Sequence, residues 1–243
     1  MDELRDIVRL PGLEQSLLFA PLFLLLSALS LEVAAQLKRA GWKTGYSRKT
    51  FHFLTFATAA LTQTYGGRPL LNLFGSMASL VVVAAILAGE GQRHYEALAR
   101  EKDAPHRTWY VVVPYFATLA GGLVANLFAA QAAICGYLVC GLGDAVGEPV
   151  GTRWGRHRYR VPAPGRVVSY RSYEGSTAVF LVSWLSIVAG LAILGAELDG
   201  ATLLRSGVVA LGAAATEAVA PHGGDNFFLI VLPAIGVELW ILA

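Results

Sequence analysis

Four stretches of this chain are too long and too apolar to fold as ordinary soluble helices. Leu17 to Ala35 carries one charge, Glu32, near its end. Pro69 to Gly89, Trp109 to Gly143 and Ser176 to Ala196 carry none. A helix needs roughly 20 apolar residues to cross the hydrocarbon core of a bilayer, so each run is long enough to span one. The run from Trp109 is long enough for two crossings, with a turn near Gly121 to Asn126. Only 15% of the residues are charged, against about 25% in soluble domains. These features predict an all-α, polytopic transmembrane helical bundle, read as one integral membrane domain over 1–243.

Eight crossings are predicted, at 15–35, 51–66, 69–89, 109–125, 127–143, 176–196, 202–219 and 227–243. Their orientation follows from Lys and Arg. Three intervening segments, 36–50, 90–108 and 144–175, hold 15 of the 19 basic residues. Eight crossings put all three on one side, which the positive-inside rule makes cytosolic, with both termini on the other. The N-terminal stretch mixes Asp2, Glu3, Arg5, Asp6 and Arg9, unlike the basic start of a cleavable signal. A net charge of +2 gives no reason to expect a nucleic-acid partner. Cys135 and Cys140 read as small buried residues, not as a disulfide or metal pair.

Polar chemistry gathers in four places. The first runs from Gly141 to Tyr159. Glycines at 143, 147, 151 and 155 leave one bare helix face, which suits close helix packing. Asp144 at the end of a span is costly there and marks a functional site. Glu148 lies one turn on, so the two carboxylates can share a face. Paired carboxylates beside bare backbone suit Mg²⁺ and phosphate oxygens. Arg153, Arg156, His157, Arg158 and Arg160 follow, as expected of a cytosolic loop or of phosphate neutralisation.

The second place is Tyr170 to Ser176. Here Arg171 can hold a phosphate, Glu174 can orient it or touch metal, and Ser172 can cap the following helix. The third is Glu217 to Asn226, where Pro221, Gly223 and Gly224 break the helix between two apolar runs. Non-helical backbone at membrane depth needs protein or a cavity around it. His222 and Asp225 belong to this group. The fourth is Ser47 to Phe53, where Arg48, Lys49 and His52 can face one way. Snorkelling explains Arg48 and Lys49 equally well. No P-loop, protein-kinase signature, G-x-S-x-G elbow or H-E-x-x-H helix is present.

In these blocks the chain resembles the polyprenol kinase family, which includes dolichol, phytol and farnesol kinases and a CTP-dependent diacylglycerol kinase. The resemblance rests on Arg48-Lys49-x-x-His52, on Gly143-Asp144-Ala145 with Gly151, Gly155 and Arg156, on Arg171-Ser172-Tyr173-Glu174-Gly175-Ser176, and on Asp225-Asn226 before an apolar span containing Pro233. It implies CTP-dependent, Mg²⁺-assisted phosphoryl transfer to the hydroxyl of an isoprenoid alcohol drawn from the membrane lipids. Asp144 and Asp225, with Glu148, are the expected metal ligands. Gly143, Gly147, Gly151, Arg153, Gly155, Arg156, Arg171, Glu174, Asn226, Arg48 and Lys49 are the expected nucleotide contacts. Glu217 or His52 is expected to take the proton.

The family commonly carries Lys where Arg171 stands, which exchanges a point charge for a planar fork. The His222-Gly223-Gly224 run is also similar to phosphatidate cytidylyltransferases, though their second, closely following Asp is missing. A CDP-lipid synthase is therefore the runner-up. A small transporter is the third reading, because intramembrane Asp, Glu and His can line an ion path.

Overall fold

The structure, a computed structural model, describes residues 8–161, 169–220 and 223–243. Asp2, Glu3, Arg5, Asp6, Pro221 and His222, named above, lie outside them. Seven described helices are long and apolar enough to cross a membrane, and the protein is a multi-pass integral membrane protein. The chain forms two compact units, divided after Val111, which are taken in turn.

In the N-terminal unit, α1 (Leu13–Arg39) packs on α2 (Thr44–Ala88). Phe23, Ser27, Leu31, Ala34 and Ala35 are buried, a stripe at helical spacing. The Phe23 ring meets Phe74 edge-on at 5.6 Å. Leu17, Leu18 and Leu25 are exposed, as a lipid-facing surface requires. At 45 residues, α2 would be about 68 Å long if straight, over twice the roughly 30 Å hydrocarbon core. It breaks at Gly67, whose φ of 72° and ψ of −178° are not helical. Such a conformation favours glycine, and Pro69 follows it. The crossings expected at 51–66 and 69–89 fall on either side of this break.

The basic segments of this unit are more ordered than connecting loops. The loop expected at 36–50 shrinks to 40–43, because Lys38 and Arg39 close α1 and Arg48 and Lys49 lie in α2. Basic residues in a last helical turn complement the helix dipole. The segment expected as a loop at 90–108 contains α3 (Arg93–Leu98) and a 3₁₀ turn at Glu101–Asp103. Arg100 pairs with Asp103 at 2.8 Å, both buried. Arg107 pairs with Glu96 at 2.6 Å and donates to the Ala99 carbonyl at 2.7 Å. Lys38 pairs with Glu101, which also accepts from Thr44 Oγ1 at 2.9 Å. Burial acts to raise the Glu101 pKa, but these hydrogen bonds overcome it and hold the carboxyl at about 2.

The C-terminal unit holds α4 (Trp109–Phe128) from residue 112 on, α5 (Ala133–Leu138), α6 (Asp144–Trp154), α7 (Tyr173–Ile193), α8 (Gly200–Val219) and α9 (Asp225–Val237). A π-helical turn at Val139–Gly143 joins α5 to α6. The core is built from Val139, Val179, Ile187, Leu191, Leu229 and Ile230, all fully buried. Cys135 and Cys140 are buried free thiols, as expected. Two features depart from the sequence reading. The helix entering at Ala133 does not end at Gly143 but runs on through Asp144 to Trp154. A two-stranded antiparallel hairpin, β1 (Arg158–Val161) with β2 (Ser169–Ser172), then interrupts the all-α pattern. Its register sets Tyr159 opposite Arg171 and Arg158 opposite Ser172.

Candidate active site

The C-terminal unit brings three carboxylates together at the ends of three helices. Asp144 opens α6 directly after the π-helical turn. Such turns insert a residue into the helix and recur at functional sites. Glu217 lies in the last turn of α8, and Asp225 opens α9. The short connection between these two helices contains Gly223, whose φ is 96°. That conformation favours glycine. The chain therefore reverses quickly enough to bring Glu217 and Asp225 side by side. All three acids are buried, and one oxygen from each lies within 4.8 Å of the others.

Charges this close repel. At an effective dielectric of about 20, each like-charged pair near 5 Å costs on the order of 3 kcal/mol. The hairpin supplies a counter-charge. Arg171 Nε meets Glu217 Oε1 at 2.8 Å, and Arg171 Nη2 meets Asp225 Oδ2 at 3.0 Å. Arg171 thus bridges two of the three acids. The donor set suits a hard divalent ion, because all three groups offer carboxylate oxygen. Oxygens on opposite sides of Mg²⁺, bound at about 2.1 Å, are about 4.2 Å apart. Only a small inward shift separates the group from that spacing, so these residues fit the metal expected from the sequence.

Arg171 is held in place through the start of α7. Ser172 caps that helix, as expected, by accepting from the Gly175 N–H at 3.1 Å. Opposite Arg171, Tyr159 shares a 2.6 Å hydrogen bond with Ser176 Oγ, and its ring lies tilted against that of Tyr173 with centroids 5.1 Å apart. Burial pushes the Tyr159 hydroxyl above the usual phenol range, so it stays protonated. His157 Nδ1 lies 2.8 Å from Glu174 Oε1, and the His157 carbonyl accepts from the Tyr173 N–H at 3.0 Å. Three contacts thus clamp the hairpin to the helix it precedes.

The other expected residues are placed as follows. Glu148 lies one turn along α6 from Asp144, half-buried and outside the group of three. Glu174 contacts His157 at the hairpin base, not Arg171. The bare face of Gly143, Gly147 and Gly151 is covered by α7. A methyl group at Gly143 would overlap Ser183 Oγ, and one at Gly147 would come within 2.8 Å of Val179 Cγ2. At Gly151 and Gly155 the nearest side chain is Ser172. These positions let α6 and α7 touch, and the packing reading is the one their surroundings support.

Asn226 ties α9 to α4, donating from Nδ2 to Thr118 Oγ1 at 2.9 Å. It anchors the start of the helix that carries Asp225. Arg153 and Arg156 are exposed, and the Arg153 guanidinium lies over the Trp154 ring. Arg48, Lys49 and His52 belong to the N-terminal unit, on the first turns of α2. There Lys49 is buried, and the His52 ring contacts Phe56 at 4.6 Å. Sequence reasoning missed Tyr159, Thr118 and Ser183. The alternation Arg158-Tyr159-Arg160-Val161 was the one available signal for the first.

No family model matches the chain, and no solved structure matches it. A curated phytol kinase from Synechocystis sp. is 32% identical to it over 135 residues. The chain resembles the polyprenol and phytol kinases. This agrees with the resemblance drawn from the four sequence blocks. The match covers 52% of this chain and 55% of the cyanobacterial protein. The chain thus spans about half the length of the curated relative it matches.

Proposed function

We propose that this protein is a lipid-alcohol kinase that transfers the γ-phosphoryl group of CTP to the hydroxyl of an isoprenoid alcohol of the phytol, farnesol, geranylgeraniol or dolichol type. The observation that carries the proposal is the buried group of Asp144, Glu217 and Asp225 around Arg171, in a chain similar to a phytol kinase. Phosphoryl transfer needs little covalent chemistry from a protein. It needs positioning and charge stabilisation, which carboxylates for a metal and arginines for phosphates supply.

In this reading Asp144 and Asp225 would hold Mg²⁺, which would supply positive charge against the triphosphate. Arg171 contacts a phosphate, and the exposed Arg153 and Arg156 screen the charge that remains. The alcohol oxygen attacks the γ-phosphorus, the bond from that phosphorus to the β-phosphate bridging oxygen breaks, and CDP leaves. Glu217 accepts the hydroxyl proton. The alcohol enters from the bilayer, and its hydroxyl meets the nucleotide at the cytosolic face, where the positive-inside rule puts the basic segments.

The test is a nucleotide-by-alcohol activity matrix on purified protein, using γ-labelled CTP and ATP with a panel of prenols. The proposal expects a labelled lipid monophosphate, with CTP the better donor. CDP-lipid and pyrophosphate formed from phosphatidate would replace it with the cytidylyltransferase reading.

A further inference from the structure

Arg171 commits two of its three nitrogens to the carboxylate group, Nε to Glu217 and Nη2 to Asp225. The third, Nη1, is buried and has no hydrogen-bond partner among the described residues. An unmet buried donor is costly, so this nitrogen has capacity for an acceptor that the described residues do not provide. A guanidinium is a planar fork that matches phosphate oxygens. It also sits on oxygens of two of the three acids that can hold a divalent cation. A second cation on those carboxylates is disfavoured, because it is repelled by the guanidinium beside it.

We infer that Arg171 and a metal–nucleotide complex exchange at this group. Arg171 would yield carboxylate oxygen to a metal carried on the triphosphate, and its guanidinium would pass to a phosphate oxygen with Nη1 leading. The exchange moves only the Arg171 side chain. Its backbone is held by the pairing with Tyr159 and by the adjacent Ser172 cap. The inference rests on the proposed kinase reading and adds an ordering to it. A divalent cation alone has to compete with Arg171 and binds weakly. A cation carried on a nucleotide binds well, because the displaced arginine gains a phosphate. Metal and nucleotide are then reciprocally coupled through one residue.

The test measures Mn²⁺ binding to the purified full chain by the electron paramagnetic resonance signal of free Mn²⁺, with and without a non-hydrolysable CTP analogue. For the unaltered protein the analogue should tighten Mn²⁺ binding about tenfold or more, within the usual range of coupling. Arg171→Gln should bind Mn²⁺ alone about tenfold more tightly than the unaltered protein and lose most of the gain from the analogue. Arg171→Lys keeps the charge but cannot reach both acids at once, and guards against misfolding of the Gln variant. It should bind Mn²⁺ alone with intermediate affinity. If the unaltered protein binds Mn²⁺ with the analogue but neither variant gains affinity for Mn²⁺ alone, the exchange is wrong and the metal reading stands. If the unaltered protein fails to bind Mn²⁺ even with the analogue, both are wrong.

Discussion

Arg171 Nη2 donates to Asp225 Oδ2 at 3.0 Å across 54 residues of chain. The same guanidinium reaches Glu217, so the hairpin, the end of α8 and the start of α9 meet at one charged group. A buried charged group held this way is expensive to break, because removing one partner strands the others. Asp144 completes it from α6.

Replacing Asp144 or Asp225 with Asn keeps shape and removes a metal-ligating charge. Each variant should lose lipid phosphorylation by about a hundredfold or more, a loss typical of electrostatic catalytic groups. The thermal unfolding midpoint of Asp144→Asn should stay near that of the unaltered protein, whereas Asp225→Asn also weakens the pair with Arg171 and should unfold at a lower temperature. Normal turnover in Asp144→Asn would remove that residue from the chemistry.

The contact between α6 and α7 should tolerate no methyl group at Gly143. Gly143→Ala should lower stability by about 1–3 kcal/mol, the usual cost of overpacking. The atom in the way is Ser183 Oγ. Removing it with Ser183→Ala in the Gly143→Ala background should restore most of the loss, read as the unfolding midpoint in detergent. No restoration would place the conflict elsewhere.

Tyr159→Phe deletes one hydrogen bond, that to Ser176. The net stability change should be about 1 kcal/mol. Turnover should fall by about threefold to tenfold, because Arg171 sits opposite this residue and small displacements of a positioning group are costly. Proteolysis at the hairpin, compared between the two proteins, checks whether the clamp has loosened.

Glu101 predicts an acid-sensitive step in the N-terminal unit. Its pKa is lowered in the folded chain from the ordinary 4.5 to about 2. A carboxyl held down by folding contributes stability above its unfolded pKa and loses that contribution as pH falls through the folded one. Between about pH 4.5 and pH 2 the unaltered protein should therefore lose a stabilising contribution that Glu101→Gln lacks from the start. Unfolding midpoints of both proteins across that window provide the comparison. Parallel curves would show that the contacts of Glu101 with Lys38 and Thr44 add nothing.

Much of the architecture was legible because long apolar runs admit few alternatives. The break between 51–66 and 69–89 was visible for the same reason, since Gly67 and Pro69 stand between two apolar stretches. The hairpin was not visible. Its strands are four residues each and lie in a stretch whose Arg, Pro and Gly content reads as a loop. The extent of α6 was obscured for a related reason. Asp144, Glu148, Pro149 and Arg153 look like a polar loop, and only the packing of Gly143 and Gly147 on α7 makes a helix there worthwhile. Asp144 and Asp225 stood out as carboxylates beside apolar runs. Glu217 was marked for proton transfer, but its closeness to Arg171 is a tertiary fact. The glycine face was ambiguous in the sequence, because bare backbone serves a phosphate or a neighbouring helix equally well.

The most direct test is transfer of label from γ-labelled CTP to phytol by the purified protein, run beside Asp144→Asn. The account predicts labelled phytyl monophosphate from the unaltered protein and almost none from the variant. Absence of any labelled lipid phosphate across the prenol panel, or equal labelling by both proteins, would contradict it.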